Sequence, residues 1–156
     1  MSEEIYCLDT SALINPWRKM WPPDLLPGFW EDVVALILAG RVIVSEEVRE
    51  ELRRKDDELA SWAQANIQSW QPLTAEVQEC VRDIMRNWGK LVDHRNNHGS
   101  ADPFVIATAK VRGATVVTEE GHGTEKKVLI PYVCGQLGVP CIGVLDFVRA
   151  TKVRLA

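Results

Sequence analysis

The sequence predicts an α/β protein built on a parallel sheet with helices on both faces. Four short β-rich runs, 4-EIYCLD-9, 41-RVIVS-45, 114-ATVVT-118 and 139-VPCIGV-144, are each bounded by Gly, Ser, Asp or Pro. Helical patterns separate them, and strands alternating with helices require parallel pairing with both sheet faces covered. No repeat, low-complexity tract or linker divides the 156 residues, a length at which one domain buries a sizeable core, so a single domain over 1–156 is expected.

The elements follow in order. After the first strand run, the Pro-rich piece 16-PWRKMWPPDLLPG-28 is expected to be a structured loop. Phe29, Val33, Leu36 and Ile37 then fall on one helical stripe that Gly40 closes. Ser45, at the end of the second run, is an N-cap for a helix opening with 46-EEVREEL-52, whose buried stripe is set by Val48 and Leu52. The stretch 56-DDELASWAQANIQSW-70 reads as a helix with Trp62 inward, and Val77, Val81, Ile84 and Trp88 as another, closed by Gly89. A further helix, 103-PFVIATAKVRG-113, opens with Pro103 at its first position and ends in Gly113. Most of the six Trp are expected in the core. Trp17 and Trp21 are the exceptions, since an aromatic in the loop after the first strand can gate a site or meet a partner.

Composition excludes several classes. No apolar run approaches the ~18 residues of a membrane span, and the acidic start MSEEIYCLD lacks the basic and apolar parts of a secretory signal, so a cytosolic protein is expected. Cys7, Cys80, Cys134 and Cys141 show no CxxC spacing and read as reduced, packed thiols. The net charge of -4 supplies no global pull toward nucleic acid, so such a partner would be held by local basic patches or bound metal.

Ligands of open parallel sheets bind beyond the carboxyl ends of the strands. Four segments deliver acid to that edge: Asp9, the Glu46–Glu51 segment, Asp102, and the pair Glu119 and Glu120. Each has a plain structural reading. Asp102 before Pro103 resembles a helix N-cap, and Glu46, Glu47, Glu50 and Glu51 could be solvated first turns stabilised by the helix dipole. Taken together those readings weaken, because a carboxylate set between Leu8 and Ala12 at the mouth of a core strand loses solvation. At ~100° per residue, Glu51 lies roughly 80° from the centre of the buried stripe and Glu47 about 120°, which makes Glu51 the choice and Glu47 the reserve. Clustered carboxylates need neutralising, and an all-oxygen donor set selects a hard ion, Mg²⁺ or Mn²⁺. Such a site suits phosphodiester hydrolysis. His94, His98 and His122 lie in loops without ligand spacing and read as solvated.

The pieces 8-LDTSALI-14, 45-SEEVREEL-52, 101-ADPFVIATA-109 and 115-TVVTEE-120 resemble the successive signatures of a PIN domain over nearly the whole chain. Within PIN proteins, the sequence looks like the ribonucleases of VapC-type toxin–antitoxin pairs, in a subgroup with a tail such as 127-KVLIPYVCGQLGVPCIGVLDFVR-149. The resemblance implies a three-layer α/β/α sandwich with a central parallel sheet of four to five strands. It implies Asp9, Glu51 and Asp102 as metal-binding acids, with Glu120 or Glu119 as the fourth, and Thr10 or Ser11 and Thr118 as hydroxyls near the metal. It also implies Mg²⁺ or Mn²⁺, single-stranded RNA as substrate, an antitoxin partner and often a homodimer. The chain departs from the pattern in its Glu doublet, where the family favours Asp, and in the insertion 119-EEGHGTEKK-127.

Phosphate contacts could come from Arg49, Arg53, Arg54, Lys55, Lys90, Arg95, Lys126 and Lys127, which also read as ordinary solvated charge. Trp17, Trp21 and Leu25 could form a dimer or antitoxin surface, or lie buried under the first helix. Two rival functions are a non-catalytic PIN-like module that binds RNA or protein without cutting, and a phosphohydrolase with Asp9 as covalent nucleophile. The second rival wants another acid two residues on, and Ser11 stands there.

Overall fold

Tyr6–Leu8 (β1) is buried along its whole length, as a central strand must be when both faces of its sheet are covered. It pairs in parallel with Val42–Ile43 (β2) on one side and Thr115–Val117 (β3) on the other, Tyr6 lying opposite both Val42 and Thr115. In turn β3 pairs in parallel with Cys141–Ile142 (β4), giving the order β2-β1-β3-β4. The computed structural model describes residues 3–96 and 98–156. Its four strands sit inside the four β-rich runs and are shorter than them. Because the chain winds from β1 outward to β2 and later returns to the other side through β3, the strand order reverses between β1 and β3, the position where open α/β sheets form a crevice.

Helices Thr10–Asn15 (α1), Pro27–Leu38 (α2), Glu46–Lys55 (α3), Asp57–Asn66 (α4), Ala75–Trp88 (α5), Asp102–Arg112 (α6), Ile130–Leu137 (α7) and Val144–Thr151 (α8) complete the molecule. Gly40 and Gly113 end their helices in the left-handed region at φ +75° and +66°. Gly89 does not; it stays right-handed at φ -57° and leads into a 3₁₀ turn, Gly89–Leu91. The helix expected to run from 56 to 70 stops at Asn66. The backbone of Gln71 is needed beyond β2, donating to Val44 O at 2.8 Å and accepting from Glu46 N at 3.0 Å, so residues before it must run extended. Pro103 takes the second helical position of α6, Asp102 the first.

The Pro-rich piece is more regular than a loop: Pro16–Met20 forms a π-helical turn, and α2 already begins at Pro27. Trp17 and Trp21 join the core instead of gating a site. Trp17 and Trp62 each meet Trp30 edge-on at 5.0 Å between ring centroids, and Trp21 packs on Phe29 at 4.8 Å. The Trp30 indole nitrogen donates to Trp21 O at 2.7 Å, the polar partner that a buried indole requires. Of that trio only Leu25 is left exposed, at 71%. All four cysteines are free thiols, two buried and two half-buried. Among the described residues no helix is long and apolar enough to cross a membrane.

Candidate functional site

Asp9 follows β1 at the point where the strand order reverses, and residues 118–120 follow β3 beside it. Two hydroxyls fix its carboxylate. Ser11 Oγ and Thr118 Oγ1 donate to Asp9 Oδ2 at 2.7 and 2.9 Å. Those hydroxyls are themselves held by backbone: Glu119 N donates to Ser11 Oγ at 3.0 Å and Glu120 N to Thr118 Oγ1 at 3.1 Å. The ends of β1 and β3 are thereby stitched together with Asp9 Oδ2 fully engaged, while Asp9 Oδ1 is buried with no partner. Thr10 is also buried.

On α3, helical phase selects as expected. Glu51 is buried, whereas Glu46, Glu47 and Glu50 are half-buried, and Glu47 does not reach the cavity beside Asp9. Glu51 Oε2 accepts from Ala101 N and Ser100 Oγ, both at 2.9 Å, and Oε1 faces Lys55 Nζ at 3.3 Å. Burial alone would raise its pKa, but these donors outweigh it and hold the carboxyl below its ordinary value. Asp102 is not an N-cap: Ala101 occupies that position, and Asp102 lies in the first turn of α6, buried, with Oδ2 unpartnered. The glutamate doublet divides its work. Glu119 Oε1 accepts from Val144 N at 2.9 Å and caps α8, while Glu120 turns into the cavity, with Oε1 accepting from Ile130 N at 3.0 Å at the start of α7.

Asp9, Glu51, Asp102 and Glu120 therefore line one cavity of about 230 Å³, with Arg18 and Lys55 also on its wall. The structure adds a residue that the sequence reading set aside. His98 also lines the cavity, with Nε2 3.5 Å from Glu120 Oε2, and a group formed by one ligand atom each from His98, Asp102 and Glu120 lies within 4.8 Å. The available signal was the short step from His98 through Gly99 to Asp102. His94 and His122 remain exposed.

A family model described as a domain of unknown function, DUF4411, matches residues 6–155. The chain belongs to the DUF4411 family. No curated protein matches it. Among solved structures, VapBC2 from Rickettsia felis, in a crystal structure bound to a DNA fragment from its promoter, is similar at TM-score 0.55 and 12% identity. The match covers 89% of this chain and 98% of that one. At that identity the likeness speaks for the fold, a VapC-like PIN fold, in agreement with the LDTSALI and ADPFVIATA pieces.

The electrostatics of this DUF4411 site are those of an acid cluster short of positive charge. Burial, then the charges of Glu120 and Glu51, push Asp9 up to about 6 against the downward pull of the Ser11 and Thr118 hydroxyls. Burial and the same neighbours, Asp9 foremost, hold Asp102 well above its ordinary value. Two unit charges ~4 Å apart repel by about 4 kcal/mol at an effective dielectric near 20, so full ionisation of the set needs a counter-charge. Asp9 Oδ1 and Asp102 Oδ2 are buried acceptors with nothing to accept, which suits a hard divalent cation.

Proposed function

We propose that this DUF4411 domain is a metal-dependent endoribonuclease that hydrolyses phosphodiester bonds of single-stranded RNA, serving as the toxin of a toxin–antitoxin pair. The observation that carries the reading is that Asp9 and Asp102, each with one buried carboxylate oxygen that has no partner, line the same cavity. Asp9, Asp102 and Glu120 would hold Mg²⁺ or Mn²⁺, with Glu51 completing the acid set. Such an ion supplies charge to orient the phosphodiester and to lower the pKa of an attacking water.

The chain's own groups have separate tasks. Ser11 and Thr118 fix one oxygen of Asp9 so that the other points where charge is needed. Glu51 ties the turn before Asp102 to α3 through Ser100 and Ala101. Lys55 and Arg18 put cationic groups on the cavity wall, where a phosphate backbone could run. The fold shared with VapBC2 supports a toxin with a protein antitoxin; a homodimer and a cytoplasmic location follow the same analogy. An Asp9→Asn variant should retain its circular dichroism spectrum and lose Mn²⁺-dependent RNA cleavage by at least roughly a thousandfold, about 4 kcal/mol of barrier. Undiminished cleavage would overturn the assignment. If Mn²⁺ neither binds nor raises the melting temperature, the non-catalytic RNA- or protein-binding module takes its place.

A further inference from the structure

We infer that His98, Asp102 and Glu120 form a mixed nitrogen–oxygen cation position at one side of the cavity, and that the imidazole makes the site prefer Mn²⁺-like transition ions over Mg²⁺. The inference rests on the metal-dependent reading above and specifies a ligand that reading leaves out.

The first support is delivery. His98 is a loop residue, yet its backbone is paired twice with Asp93, His98 N donating to Asp93 O at 2.9 Å and Asp93 N to His98 O at 2.8 Å. The Asp93 side chain closes the turn between them by accepting from Arg95 N and from Asn96 N and Nδ2. Gly99 follows at φ +74°, and a Cβ there would lie 2.6 Å from Leu91 O and 2.9 Å from Asp102 Oδ2. Only glycine lets the chain fold this tightly against the acid. Ser100 and Ala101 are then bound to Glu51, so each residue from 98 to 101 is anchored or sterically specified.

The second support is an unmet need. The gap of 3.5 Å between His98 Nε2 and Glu120 Oε2 is long for a hydrogen bond. An ion pair there would in any case leave Asp102 Oδ2 buried without a partner. A cation among the three groups satisfies Asp102, Glu120 and the imidazole at once. Glu120 Oε1 is already held by Ile130 N, which leaves Oε2 for the shared position. An imidazole nitrogen favours every first-row divalent ion over Mg²⁺, Mn²⁺ by the smallest margin, because Mg²⁺ takes oxygen donors and keeps its waters.

Electron spin echo spectroscopy of the full chain loaded with Mn²⁺ tests this without reference to activity. The expected result is nitrogen hyperfine modulation that changes on ¹⁵N-histidine labelling and is lost in His98→Gln. Mn²⁺ affinity should fall in that variant by roughly tenfold or more, the loss seen even for groups one shell out. Mg²⁺ affinity should change much less. His98 is exposed, so His98→Gln is expected to fold, as circular dichroism would verify. Bound Mn²⁺ without nitrogen coupling, or coupling that survives in His98→Gln, overturns the inference and leaves the metal-dependent reading standing. Absence of any bound Mn²⁺ sinks both.

Discussion

Asp9 shows how much one side chain's environment decides. A carboxylate at a strand end was legible, because leaving Asp9 between Leu8 and Ala12 makes sense only where something compensates the lost solvation. Which of Glu119 and Glu120 enters the site was not legible. Adjacent residues leave β3 in different directions, and the choice is made by the first N–H groups of α7 and α8, which each claim one carboxylate. The division makes a prediction. Glu119→Ala should cost about 1 kcal/mol, the usual loss of a helix cap, and leave cleavage intact, whereas Glu120→Gln should abolish cleavage with little loss of stability. Denaturant melts and an RNA cleavage assay on the two variants separate them, and equal loss of activity would contradict the division. Thr118→Val is the subtler case. It keeps the shape but removes the donor to Asp9 Oδ2 and the acceptor for Glu120 N, so Mn²⁺ affinity measured by calorimetry should fall roughly 10- to 100-fold.

At the scale of elements, the long periodic helices were legible and the short ones were not. Val77 and Ile84 are buried on α5, and Val33 and Ile37 on α2, as their spacing requires. Helix α1 has only six residues, too few for periodicity to register, and α7 carries Pro131 and Gly135, which read locally as breaks. These two helices, and α8 with them, are held by what they pack against more than by propensity. Capping gives the sharpest element-level prediction. Asp56 Oδ1 accepts from Leu59 N at 3.0 Å to open α4, and Oδ2 accepts from Arg18 Nε at 2.8 Å, joining the π-helical turn to the junction of α3 and α4. Asp56→Ala should cost about 1 kcal/mol for the cap, with the half-exposed ion pair adding less than about 1 kcal/mol. For a chain of this length that is a fall of roughly 2–6 °C in melting temperature. Arg18→Ala, which leaves the cap in place, should lose less; a larger loss would assign the main role to the ion pair.

For the whole molecule, the acid cluster couples folding to protons and metal. Unfolded, Asp9 titrates near 3.9; folded, it is pushed up to about 6, so the native state binds more protons than the unfolded state between those values. Stability contributed by this group therefore falls as pH rises through the window from about 4 to 6 and stays low above it. The penalty at pH 7 is of the order of 3 kcal/mol if nothing neutralises the charge. Glu51 and Asp56 are held below their ordinary values and act in the opposite sense, losing their contribution as pH falls, so a raw pH profile mixes the two. Comparing the chain with Asp9→Asn isolates the term, since the amide keeps the shape and carries no charge. Without metal, Asp9→Asn should melt several degrees higher than the parent at pH 7, and the gap should close toward pH 4. Saturating Mn²⁺ should raise the parent's melting temperature more at pH 7 than at pH 5, because the ion must displace protons at the lower pH, and should raise that of Asp9→Asn much less. A metal-free parent as stable as Asp9→Asn at pH 7 would mean that Asp9 carries no electrostatic strain for a cation to relieve.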